Sequence, residues 1–125
     1  MRGMMRGGSQ KDGRTSLNNP PMMREHHLSI MREHLEAVTE ITGLVSTGDY
    51  DKASRTAAEK IGLTPEMRRM CDMMGDKQFR AMGIAFHQSA DRLSEVLKKK
   101  DPTAALAALH ETLNLCVACH ASYRE

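Results

Sequence analysis

Near its C-terminal end the chain carries Cys116-Val117-Ala118-Cys119-His120. Two thiols three residues apart, with an imidazole directly after the second, share one face of a helix. The spacing is that of covalent c-type haem attachment. Each thiol adds its S–H across one porphyrin vinyl group to give a thioether, and the adjacent imidazole reaches the iron. With three Cys and six His in 125 residues, shuffling yields this pentad in roughly 0.2% of chains, so chance is a poor explanation. Other uses of the trio fit less well. A closed zinc site needs a fourth ligand, and there is no second C-x-x-C. A thioredoxin-like motif needs a βαβ context. The blandest alternative is two buried thiols beside a core histidine.

The elements that must hold this motif read as helices. From Met22, the residues Leu28, Met31, Leu35, Val38, Thr42 and Val45 recur by threes and fours. Ile30, Ala37, Ile41 and Leu44 widen the stripe, opposite a charged face from Arg24 to Glu40. Gly48-Asp49 turns the chain into a short helix with Tyr50, Ala53, Ala57 and Ile61 inside, ended by Gly62. Between Thr64 and Gly75 the signals conflict: Thr64-Pro65-Glu66 starts a helix and Gly75 interrupts it. Asp76 opens a strong helix with Phe79, Met82, Phe86, Ala90 and Leu93 on one side. Asp101-Pro102 opens the last, whose expected inner stripe is Leu106, Leu109, Leu113, Cys116 and His120. No segment reads as a strand. The expectation is an all-α, antiparallel up-down four-helix bundle over residues 21–125. Residues 1–20, rich in Gly, Arg, Met, Ser and Asn, read as a flexible extension.

Composition narrows the function. Net charge is +2 from 18 basic and 16 acidic residues, too balanced for a nucleic-acid binder. No apolar run approaches a membrane span, and no nucleophile–base pair or carboxylate dyad suggests an enzyme. Aromatics are 3%, Trp is absent and Met numbers 11. Large rigid core residues are therefore scarce, and a flat apolar disc would supply the missing volume.

With these residues in view, the chain from about 22 to 124 resembles the class II c-type cytochromes, the cytochrome c′ family. In that family the haem motif lies at the chain's end and continues into an aromatic and a basic residue, here Tyr123 and Arg124. Helix one of the family carries an Arg, then four residues later the residue over the distal haem face, then three later a Met. Arg24, Leu28 and Met31 fit. Phe79 is a smaller match. The Trp and Pro common between helices two and three are missing here, and the Met- and Arg-rich extension is foreign to the pattern. The resemblance implies one haem c, held through Cys116 and Cys119 with His120 on the iron, and Arg124 on the proximal side. It implies electron transfer with a redox partner protein, or binding of NO or CO at a five-coordinate iron under Leu28. It further implies a homodimer, and export to the periplasm in a processed or trimmed chain without its leader.

Leu28 cannot ligate iron. A low-spin alternative places Met31 or His27 at the sixth position, with one of His26 and His27 facing solvent. His34, His87 and His110 read as surface or partly buried histidines. Met67, Met70, Met73 and Met74 flank Cys71. Soft donors suit Cu(I), but a core-filling segment around a buried thiol fits better. Met1, Met4 and Met5 belong to the extension.

Overall fold

A computed structural model describes residues 11–125, so Met1, Met4 and Met5 lie outside the described residues. The protein is predominantly helical, with almost no strand. Strand β1 (Thr15–Ser16) precedes helices α1 (Pro21–Ser46), α2 (Tyr50–Thr56), α3 (Pro65–Asp72), α4 (Lys77–Leu97) and α5 (Pro102–Ser122), and strand β2 (Tyr123–Arg124) ends the chain. A π-helical turn, Ala57–Ile61, prolongs α2. Residues 65–72, where the signals conflict, thus form a helix that stops before Gly75.

The expected start signals act as such. The Asp49, Thr64, Asp76 and Asp101 side chains accept from the backbone N–H of Lys52, Met67, Phe79 and Thr103 respectively. Pro65 and Pro102 occupy first turns, where no N–H is needed. Gly62 has a close-approach role. A Cβ there would lie 2.4 Å from both the Ala58 carbonyl oxygen and Asp91 Oδ1.

The main core joins Ala37 and Ile41 of α1, Tyr50, Ala53, Ala57 and Ile61 around α2, Phe86, Ala90, Leu93 and Leu97 of α4, and Ala105 and Leu109 of α5. Helix α4 packs on α5 and α2, and α2 packs on α1. Small residues at these crossings allow close approach, and hydroxyl pairs tie them. Ser54 bonds Ser94 at 2.9 Å, and Ser89 bonds Thr112 at 3.0 Å. Helices α1 and α5, by contrast, share no substantial interface.

Two expectations are corrected. The buried stripe of α5 is Ala105, Leu109 and Thr112, with the half-buried Cys116 and Cys119 and the buried Tyr123 beyond; Leu106 and Leu113 are exposed. The stripe is turned because α5 packs on α4 alone, leaving its other apolar side open toward α1. Second, β1 and β2 pair in parallel, Thr15 with Tyr123 and Ser16 with Arg124. Two-residue strands carry no alternation to read. Residues 11–20 are consequently attached to the C-terminus through this pairing and a Leu17 N–H bond to the Arg124 carbonyl (2.9 Å).

No helix among the described residues is long and apolar enough to cross a membrane.

Leu93 is fully buried at the centre of the core, whereas Met22 is 85% exposed. Leu93→Ala is expected to cost about 2–5 kcal/mol in denaturant unfolding, and Met22→Ser to change stability by less than about 0.5 kcal/mol.

Candidate functional site

The space between α1 and α5 is an open cavity of about 700 Å³. That is within the usual size of a cofactor pocket. Its walls are mostly apolar. Leu28, Met31, Leu35 and Val38 come from α1, and Phe79, Met82, Phe86 and His87 from α4. Met67, Met70 and Cys71 come from α3, and Leu113, Cys116, Cys119 and His120 from α5. Residues expected to form the inner stripe of α1 are therefore the wall of a crevice. Leu35 is 69% exposed because nothing from the chain lies against it.

Cys116, Cys119 and His120 all line this cavity from α5. Cys116 and Cys119 are half-buried free thiols, and the His120 ring is exposed along the same wall. Burial pushes both thiols above their ordinary pKa, and for Cys119 the neighbouring Cys116 adds to the shift. Both remain neutral S–H groups near neutral pH. Leu28, Met31, Phe79 and Arg124 also line the cavity, but Arg24 does not. It is exposed in the first turn of α1, one turn before Leu28 and outside the cavity lining. Arg124 reaches the rim, where its Nε lies 3.8 Å from the Asp12 carboxylate.

Several wall residues gave no sequence signal. Arg14 lines the rim and donates to the His120 carbonyl oxygen (3.2 Å) while its guanidinium pairs with Asp12 (2.7 Å). The side-chain and backbone bonds from Arg14 hold Asp12 well below the usual carboxylate range. Of the adjacent histidines, His26 is exposed and His27 is buried, and the His27 Nδ1 meets the Glu125 carboxylate. The expectation that His34 and His87 belong to the surface or its edge is corrected for His87, which is 5% exposed; its Nδ1 donates to the Ile61 carbonyl (2.7 Å). His34 packs its ring on Phe86 and on His87, with centroids 5.1 and 5.4 Å apart, and its Nε2 is buried with no hydrogen-bond partner. Both imidazoles sit where the periodic apolar pattern of their helices runs through, and only their neighbours decide that they are inside.

Cys71 is buried and lies against Gly83, where a Cβ would come within 3.3 Å of its sulfur. Burial raises its pKa as well. Met67, Met70 and Met74 turn toward the same cavity and Met73 is exposed. The segment serves as a flexible apolar wall. Among the described residues, no group of three or more His, Cys, Asp or Glu is arranged to hold a metal ion.

No protein-family model matches the chain, and no curated protein or solved structure matches it either.

Burial, reinforced by His87 and then His27, pushes the His34 pKa down to about 4. For a base, a folded-state pKa below the unfolded value of about 6.5 means that the unfolded chain takes the proton first. Its contribution is complete above about pH 6.5 and is lost as pH falls toward 4. Between pH 7 and 4.5 the wild-type unfolding free energy is expected to fall about 2 kcal/mol further than that of His34→Gln. Denaturant titrations at the two pH values measure it.

Proposed function

We propose that this protein is a haem c electron carrier of the class II c-type cytochrome kind. On this reading it is an antiparallel up-down four-helix bundle with one covalent haem between α1 and α5. The observation that carries the reading is that Cys116, Cys119 and His120 open together onto a cofactor-sized apolar crevice that the chain's own side chains leave unfilled. A crevice of that kind suits a flat apolar macrocycle and suits few small polar ligands. The haem would supply a one-electron iron couple and a coordination position facing α1.

The chain's own residues have definable roles in this reading. Cys116 and Cys119 would hold the macrocycle through two thioethers, and His120 would give the iron one nitrogen. The apolar walls from α1, α3 and α4 exclude water and lower the local polarity. Among the levers on a haem potential, burial is thus the one this crevice uses most. Arg14 and Arg124 place cationic groups at the rim, near which propionates would be favoured. A redox partner protein would approach the exposed His120 side. Covalent attachment outside the cytoplasm makes the periplasm the proposed compartment, and a homodimer is the proposed assembly.

A second reading rests on Leu28, which lines the crevice without a donor atom. If it alone covers the iron, the metal is five-coordinate and takes NO or CO.

Produced in a haem-maturing host, the protein is expected to keep its haem through acid–acetone extraction and denaturing electrophoresis. Its pyridine haemochrome spectrum should be that of two thioether links. Cys116→Ser and Cys119→Ser should each shift that spectrum toward a single link, and the double variant should release haem completely. A colourless wild type would overturn the proposal.

A further inference from the structure

We infer that His27 supplies the second axial nitrogen to the iron and that Glu125 is the residue that positions it. This inference rests on the haem reading above and assigns the coordination position that reading leaves undecided.

Three contacts fix the His27 ring. Its Nδ1 meets the Glu125 carboxylate. That carboxylate is itself held by the Asn19 side-chain amide, at 3.2 and 3.4 Å. The ring then stands edge-on to Phe79, with centroids 5.5 Å apart and planes at 82°. His27 and Glu125 side chains are only 11% and 10% exposed, and both residues line the crevice. With Nδ1 donating to Glu125, the free nitrogen is Nε2, which has no protein partner among the described residues. An imidazole with one nitrogen on a carboxylate and the other open to a cavity is the arrangement found behind metal-bound histidines. The carboxylate sets the tautomer and orients the ring.

The competitors lack such support. Leu28 has no donor, and Met31 is half-buried with a flexible side chain that nothing holds by its sulfur. The structure also couples the two walls. His120 belongs to α5, His27 to α1, and Glu125 follows His120 by five residues on the same segment. The segment that presents one imidazole therefore clamps the other. Ligation uses the Nε2 lone pair, leaves the Nδ1 proton on its bond to Glu125, and exchanges no electron.

The test is the full-length holoprotein in optical and electron paramagnetic resonance spectroscopy, with CO titration of the ferrous form. The wild type is expected to be low-spin in both oxidation states, without the long-wavelength sulfur-to-iron charge-transfer band of a Met ligand. His27→Leu should become high-spin and bind CO readily. Glu125→Ala should leave a weakened bond, so that apparent CO affinity rises about 10- to 100-fold over wild type, with Glu125→Gln between the two. A high-spin wild type would overturn the inference without reference to any variant. So would a low-spin spectrum that carries the sulfur band or survives His27→Leu. Covalent haem in the denatured protein separates these failures from failure of the haem reading, in which no haemochrome forms and both proposals fall.

Discussion

Everything distinctive in this molecule follows from two helices that share no substantial interface. Helices α1 and α5 each carry an apolar side, and packing those sides together would remove that area from water at about 25 cal/mol per Å². They are kept apart because each is committed elsewhere. Helix α5 is drawn onto α4 through Ala105, Leu109 and Thr112, and α1 is drawn onto α2 through Ala37 and Ile41. The crossings that close are built of small residues such as Ala53, Ala57, Ala90 and Ser89. The space that stays open is lined by Leu, Met, Phe and the attachment motif. Side-chain size thus sorts the helix surfaces into those that meet a helix and those that meet something else.

One end of this crevice is closed by polar contacts. Tyr123 packs on Phe79 and donates to Asp76, the residue that also caps α4. The β1–β2 pairing and Arg14 bring the segment before α1 to the segment after α5. His27 and Glu125 complete the seal. These contacts hold the last residues of the chain, and those residues directly follow the attachment motif. Order at the chain end is therefore order at His120. A terminal segment with no partners frays, and fraying here would loosen the proposed axial ligand first.

The helices were legible because their signals are local. Asp49, Thr64, Asp76 and Asp101 are caps whose partners lie two or three residues on, and the α4 stripe from Ala90 to Leu97 meets protein. The shared wall of Cys116, Cys119 and His120 was legible because residues three and four apart share a helix face. What escaped depends on neighbours distant in sequence. The turned stripe of α5 follows from α1 standing off, which no property of α5 encodes. His87 looks like a polar interruption until Phe86, Ile61 and His34 surround it. The His27–Glu125 contact spans 98 positions, and a glutamate at a chain end carries no periodicity at all. Arg24 fitted a spacing, but it lies in the exposed first turn of α1, outside the cavity lining.

The thiols show what this scaffold contributes and what it leaves to other agents. Thiolate, not thiol, is the reactive form of cysteine, and reactive sites lower the pKa with cations or helix N-termini. Cys116 and Cys119 have the opposite environment. They lie near the C-terminal end of α5, half-buried, with pKa values raised by desolvation. The same environment protects them, since a neutral thiol oxidises slowly. On the proposed reading the bundle holds two unactivated S–H groups on one wall of the crevice and does nothing to hasten the addition. The rate of attachment must then come from outside the chain. The fold's own part, on that reading, would be the gap between α1 and α5, whose mostly apolar walls would receive the product.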